Sequence, residues 1–328
     1  MSDLLFTLNA VAPIMLMVAI GYFLGRIGII TDGGAREMNK LVFRLFLPVM
    51  LFLNIYKIDN LKDIELGYVI YVVIAVLLIF SLSFWIVRFI SDDNGKRGAI
   101  MQATFRSNYA LIGIPLATAV FGEAGGSVAT LLSLVTIPLF NILAVVALTV
   151  FGEDDGKAKI NFKKIFVGIA KNPLIISILM GCVALFIRAA FVKLGVSFRL
   201  SDLGPVYKTL SQLSDVATPL ALVVLGAGFK FKSISGMKKE IMAGVILRCV
   251  VVPLIGIGVA LLLGIFEPVH FAAFIAVFGT ATAVSTVPMA DAMKSDVQLT
   301  SQLVVWTTVM SAFTLFVFIY FLRIIDIF

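Results

Sequence analysis

The feature that most constrains this chain is the length of its apolar runs. They extend for about twenty residues at a time, which is what an α-helix needs to cross about 30 Å of hydrocarbon at 1.5 Å per residue. Of the 328 residues, 61% are hydrophobic and 14% charged, against roughly 25% charged in an average soluble domain. A water-soluble fold could not bury that much apolar surface, so the sequence reads as an all-α integral membrane protein. The first run, from about Leu4 to Ile30, is too long for the core of a cleavable signal peptide and lacks a small-residue exit motif. It is read as the first span.

Charge clusters and Gly/Pro breaks divide the remainder. Spans near 10–30, 40–56, 67–90, 98–121 and 126–151 form a first unit over residues 1–151. A polar loop covers 152–172, and spans near 173–194, 208–229, 240–265, 268–293 and 299–325 form a second unit over 173–328. With the N-terminus outside, sixteen Lys and Arg residues fall on inside loops and seven on outside loops. The positive-inside rule then predicts a multi-pass cell-membrane protein with both termini outside and the central loop cytoplasmic. Topology thus accounts for the net charge of +7. The basic residues form short clusters without a stripe of interleaved aromatics, so nucleic acid is not expected as a partner.

Pro48 and Pro115 stand 67 residues apart, and Pro219 and Pro288 stand 69 apart. A shift of about 172 residues therefore superimposes the second and fourth spans on the seventh and ninth. Because each unit has five spans, the second enters the membrane from the opposite side, which predicts a 5+5 inverted repeat of ten transmembrane helices. A proline inside a helix removes a backbone hydrogen bond and clashes with the preceding turn. Freed backbone is tolerated at membrane depth only beside protein or a water-lined cavity. The fourth span reads Arg106-Ser-Asn-Tyr-Ala-Leu-Ile-Gly-Ile-Pro115 and the ninth Gly279-Thr-Ala-Thr-Ala-Val-Ser-Thr-Val-Pro288, both polar for mid-membrane segments. Two interrupted helices would present half-helix N-termini, whose partial positive charge and free N–H groups suit an anion.

Several stretches, in order along nearly the whole chain, resemble the auxin efflux carrier family: Gly21-Tyr-Phe-Leu-Gly-Arg26, Asn39-Lys-Leu-Val with Leu47-Pro48, Asn108 leading to Gly113-Ile-Pro115, Lys171-Asn-Pro173, Leu213-Ser-Asp215 with Leu225-Gly226, and Val287-Pro288. That family includes plant PIN-type auxin carriers and bacterial malonate or malate carriers. The resemblance implies the crossed-helix fold of sodium/proton antiporters and bile-acid transporters, with spans four and nine unwound and crossing at their prolines. It further implies a scaffold of spans one, two, six and seven, a mobile core of spans three to five and eight to ten, elevator-type alternating access, and a homodimer formed through the scaffold. By the same analogy the substrate carboxylate meets Asn108, Gly113 and Pro115 on one side and Thr286, Val287 and Pro288 on the other. Leu51 and Val284 stand where the plant pattern carries Ser and Gln, which speaks against indole auxin itself.

Charges at membrane depth cost about 2.5 to 3.5 kcal/mol each on insertion scales. Arg44, Arg106, Asp215, Arg248 and Asp291 therefore require partners or a cavity. Arg44 precedes Pro48 by four residues and Asp215 precedes Pro219 by four, so the inferred two-fold axis would pair them as a scaffold ion pair or gate, unless either snorkels to the interface. Asp215, with hydroxyls such as Thr282 and Ser285, is the candidate for sodium or proton coupling. Cys182 and Cys249 lie in apolar runs without a Cys or His at metal spacing, and His270 is the sole histidine, so neither a metal nor a cofactor is expected. The chain offers no obvious catalytic constellation and no phosphate-binding loop for nucleotide-driven transport. A gradient-driven carrier of a small organic anion is the reading these residues favour. A sensor with a transporter-like fold, or an intramembrane enzyme, stays as the alternative.

Overall fold

The structure, a computed structural model, describes residues 2–57, 65–152, 167, 171, 173–195, 197–229, 236–325 and 327. The central loop 152–172 falls almost wholly outside the described residues. Within them the chain is helical, and its only strand-like pairing is an isolated bridge discussed below.

In chain order the helices are α1 (Ser2–Arg26), α2 (Asp32–Leu41), α3 (Leu47–Tyr56), α4 (Leu66–Ile90), α5 (Asn94–Phe105), α6 (Ile114–Val150), α7 (Pro173–Lys193), α8 (Gly204–Ala227), α9 (Lys238–Ile246), α10 (Val252–Leu263), α11 (His270–Phe274), α12 (Thr286–Ala292) and α13 (Val297–Ile324). Local chemistry sets several starts. Thr31, Asp93 and Asp296 cap α2, α5 and α13, their side chains accepting from the backbone N–H of Gly34, Lys96 and Leu299, which satisfies donors that the first helical turn leaves unpaired.

Six helical segments among the described residues are long and apolar enough to cross a membrane: α4, α6, α7, α8, the continuous rod from Lys238 to Leu263, and α13. The faces they turn outward are as apolar as the faces they bury. On α4, Tyr68, Val72, Val76 and Ile79 are buried, while Ile70, Ile74, Trp85 and Phe89 are exposed. Such a face suits lipid, not water. At 37 residues, α6 would run about 55 Å if straight, far more than a bilayer requires. It bends at Gly122, whose φ of 67° and ψ of −160° belong to a region that glycine alone occupies readily.

Prolines 48, 115 and 253 do not break their helices. Each follows a five-residue π turn, Val42–Phe46, Tyr109–Gly113 and Leu247–Val251 respectively. In each case the residue before the proline donates its N–H five residues back, Leu47 to Val42, Ile114 to Tyr109 and Val252 to Leu247. A widened turn absorbs the ring clash and the missing donor that would otherwise kink the helix. Pro219 lies inside the continuous α8. The expected unwinding at the prolines is thus corrected: the chain unwinds elsewhere, at residues 106–108 and 280–285.

Two groups of helices pack around these interruptions. In the first, α1 packs on α8, and α3 packs on both α7 and α8. Backbone meets backbone at the α1–α8 crossing, where a Cβ on Gly226 would sit 2.0 Å from the Val18 carbonyl oxygen. In the second group α4, α5, α6, α9, α11, α12 and α13 contact one another, with α11 lying along α6 and α13 touching α5, α9 and α12.

Candidate functional site

The two interruptions meet. After α5 the backbone turns extended at Arg106, with φ −93° and ψ 104°. After α11 and its terminal π turn (Ile275–Gly279) it does the same at Thr280, with φ −77° and ψ 160°. The two extended segments run antiparallel and form the isolated bridge between Ser107 and Thr282. The Asn108 N–H donates to the Ala281 carbonyl at 2.8 Å, and the Ala283 N–H donates to the Arg106 carbonyl at 3.2 Å. Polar and small residues suit such a crossing, because Ser, Thr and Asn offer the backbone alternatives to the helical ladder.

Four half-helix ends converge here, and the protein treats them asymmetrically. The two C-terminal ends share one cation. Arg248, fully buried on the π turn between α9 and α10, donates from Nε to the Thr280 carbonyl at 2.8 Å, from Nη1 to the Thr104 carbonyl at 3.1 Å and from Nη2 to the Val277 carbonyl at 2.8 Å. It thereby satisfies carbonyls at the ends of α5 and the α11 segment and opposes the negative ends of both dipoles. Among the described residues no carboxylate takes part.

On the other side of the crossing lies a second guanidinium. Arg106 is 3% exposed. Its Nη2 donates to Asn141 Oδ1 at 2.8 Å and to Ser285 Oγ at 2.9 Å, and its Nη1 contacts Gln102 Oε1 at 3.4 Å and Met289 Sδ at 3.1 Å. All four partners are neutral. Beside it, the buried Ser107 Oγ and Asn108 Nδ2 have no hydrogen-bond partner among the described residues. Buried polar atoms left unpaired cost about 1 to 3 kcal/mol each, and a buried charge without a counter-ion costs more. Arg106, Ser107, Asn108, Asn141 and Ser285 line one cavity of about 50 Å³, walled on its apolar side by Met50, Leu51, Ile137 and Phe140.

A larger cleft of about 420 Å³ lies between α2 and α8 on one side and α12 and α13 on the other, lined by Arg36, Asn39, Leu225, Val287, Asp291 and Ser301 among others. The strand-like segment and the start of α12 contribute to both spaces: Ala283 and Ser285 line the small cavity, and Val284 and Val287 the large one.

The sequence profile of a family described as membrane transport protein matches residues 6–319. The chain belongs to this family, the auxin efflux carriers. Among its relatives is an uncharacterized transporter of Methanothermobacter thermautotrophicus, 24% identical over 313 residues that cover 94% of this chain and 95% of the relative. An uncharacterized transporter of Methanocaldococcus jannaschii is 25% identical over 234 residues, 69% of this chain and 70% of the relative. As a member of the auxin efflux carrier family the protein is a multi-pass membrane transporter.

Of the residues that the sequence singled out, Asn108 and Ser285 line the small cavity and Val287 lines the large cleft. The others stand apart. Gly113 is at a contact between π turns, where a Cβ would meet the Ala276 carbonyl oxygen at 2.9 Å. Pro115 is exposed on α6. Thr282 and Thr286 are fully buried, and their hydroxyls donate to the Ala103 and Ala283 carbonyls. Pro288 continues α12, and its side chain lies outside the described residues. Arg44 and Asp215 are both exposed and no ion pair joins them, which corrects the expected pairing. The π turn that carries Arg44 shifts it from the register of a regular helix. Asp291 is exposed at the large cleft. Among the described residues no three His, Cys, Asp or Glu side chains stand close enough to hold a metal ion.

In the sequence Arg106 stands only as a charge in need of partners, and Asn141 enters with the structure. The signal that identifies them is geometric: 35 residues separate them, and α6 brings the amide oxygen onto the guanidinium.

Proposed function

We propose that this auxin efflux carrier family member is a secondary transporter of a small organic anion, whose carboxylate is held at the crossing by Arg106, Asn108 and Ser107. One observation carries the reading: a buried guanidinium with only neutral partners, flanked by two unpaired polar side chains, in a cavity at the meeting point of two interrupted helices. A carboxylate there would supply the missing negative charge and accept from the Asn108 amide, the Ser107 hydroxyl and the guanidinium in charge-assisted bonds.

A cavity of about 50 Å³ is too small for an organic acid, so substrate entry requires the crossing to open toward the larger cleft. The packing groups support a division of labour in which α1, α2, α3, α7 and α8 form a scaffold and the remaining helices a core that slides against it, giving elevator-type alternating access. In this proposal the membrane is crossed ten times as a 5+5 inverted repeat, with α2 and α3 as one crossing and α6 as parts of two. The scaffold is the surface for a homodimer, the protein sits in the cell membrane, and both termini face outward.

Reconstitution into liposomes tests the reading. Uptake of radiolabelled malonate, malate, lactate and indole acetate is measured for the natural protein, Asn108→Ala and Arg106→Lys. Removing a buried charge-assisted partner typically costs several kcal/mol of binding, so both variants should lose uptake at least tenfold while retaining a folded elution profile. Unchanged uptake by either variant contradicts the site assignment.

A further inference from the structure

An arginine at membrane depth ordinarily pairs with a carboxylate or with backbone carbonyls. Arg248 takes the second course, its donors committed to three carbonyls. Arg106 takes neither: its two shortest contacts run from Nη2 to Asn141 Oδ1 at 2.8 Å and to Ser285 Oγ at 2.9 Å. We infer that Asn141 is a positioning residue that sets the site's preference for anions, an inference that rests on the carboxylate reading of the Arg106 site. Its amide fixes the guanidinium in place without neutralising it.

Asn141 is itself held. It is 2% exposed on α6, and its Nδ2 donates to the Ile137 carbonyl one turn back at 2.8 Å. That bond decides which way the amide points, because the reverse orientation would set an NH2 group against the guanidinium, donor facing donor. Oδ1 is therefore aimed at Arg106 by the helix that carries it. The residue type matters as much as the place. Aspartate has nearly the size and shape of asparagine, but at position 141 it would put a fixed carboxylate against Nη2 and close an ion pair there. A substrate carboxylate would then meet a like charge in a site of low dielectric. An amide oxygen carries only partial charge and leaves the guanidinium available. Ser285 Oγ, Gln102 Oε1 and Met289 Sδ repeat the pattern, so among the described residues all four partners of Arg106 are neutral.

The natural protein, Asn141→Asp, Asn141→Ala and Arg106→Lys are compared in proteoliposomes by saturation kinetics with radiolabelled malonate, malate, lactate and indole acetate, and in detergent by thermal midpoint. Asn141→Asp should raise KM roughly a hundredfold, the scale of a like charge placed beside a bound anion, while melting at least as high as Asn141→Ala because Arg106 keeps a partner. Asn141→Ala should raise KM about tenfold through the loss of one hydrogen bond to a charged group, with the maximal rate changed far less. A residue that only bridged α6 to Arg106 for stability would show the opposite order, aspartate being the milder change. An Asn141→Asp carrier whose KM matches that of the natural protein, or lies below that of Asn141→Ala, overturns the inference; loss of uptake by Arg106→Lys in the same series then leaves the carboxylate site standing without it. Should Asn141→Asp yield no folded protein, Asn141→Ala decides alone, a tenfold rise in KM supporting the inference and an unchanged KM overturning it. Retained uptake by Arg106→Lys, or no uptake of any probe by the natural protein, overturns the carboxylate reading and this inference with it.

Discussion

Replacing Arg248 with leucine removes the cation that binds the broken helices together. The side chain is fully buried and donates three hydrogen bonds, at 2.8, 2.8 and 3.1 Å, to backbone carbonyls on two segments distant in sequence. Those carbonyls remain after the substitution, and leucine supplies no donor to them. An unpaired buried acceptor costs about 1 to 3 kcal/mol, so three of them amount to roughly 3 to 9 kcal/mol. The desolvation of the lost guanidinium offsets part of this, as apolar replacement of buried ionic groups shows. A net loss of about 4 kcal/mol is the expected outcome, equivalent to a fall of roughly 8 °C in thermal midpoint at about 2 °C per kcal/mol for a large chain. Arg248→Lys retains the charge but not the planar fork, and should recover less than half of the loss. The assay is scanning fluorimetry in detergent at a fixed scan rate, with size exclusion to monitor aggregation. If Arg248→Leu melted within a degree of the natural protein, the argument that this residue satisfies the half-helix ends would fail.

Other substitutions probe the frame. Gly226→Ala places a methyl 2.0 Å from the Val18 carbonyl oxygen and should destabilise by about 1 to 3 kcal/mol or more through forced separation of α1 and α8, seen as a lower melting midpoint. Gly122→Ala meets no neighbour within 4 Å yet must hold a φ of 67° with a ψ of −160°. It should lose about 1 to 3 kcal/mol from backbone strain alone, whereas a silent substitution would mean that the bend in α6 relaxes freely. The Lys96–Glu240 ion pair, 2.9 Å long and mostly buried, ties α5 to α9. A double-mutant cycle on thermal stability should return a coupling of at most about 1 kcal/mol.

The membrane class was legible in composition and run length because the bilayer imposes both directly. The crossing was legible in outline: the polar stretches after Arg106 and after Gly279 are the segments that unwind. Their position relative to the prolines was not, because a π turn before Pro48, Pro115 or Pro253 lets the helix continue, and nothing in composition announces a widened turn. Asn108 was visible from its place in the family motif. Arg106 was visible only as an expensive charge, since its partners come from Gln102, Asn141, Ser285 and Met289, and only the folded chain assembles them. Thr282 and Thr286 read as ligands in the sequence, yet their hydroxyls donate to the carbonyls of Ala103 and Ala283, as that of Thr280 does to Ala276, a use of hydroxyls common where helices end.

The central claim is that a substrate carboxylate meets the Arg106 guanidinium at the helix crossing. Solid-state NMR measures this directly, through the dipolar coupling between guanidinium nitrogen-15 and the carboxyl carbon-13 of whichever probe is transported, in lipid membranes. The account predicts a strong coupling to Arg106, consistent with guanidinium nitrogen and carboxylate oxygen about 3 Å apart, and its disappearance in Arg106→Lys. A bound carboxylate that shows no coupling to Arg106, or keeps an undiminished arginine coupling in that variant, would contradict it.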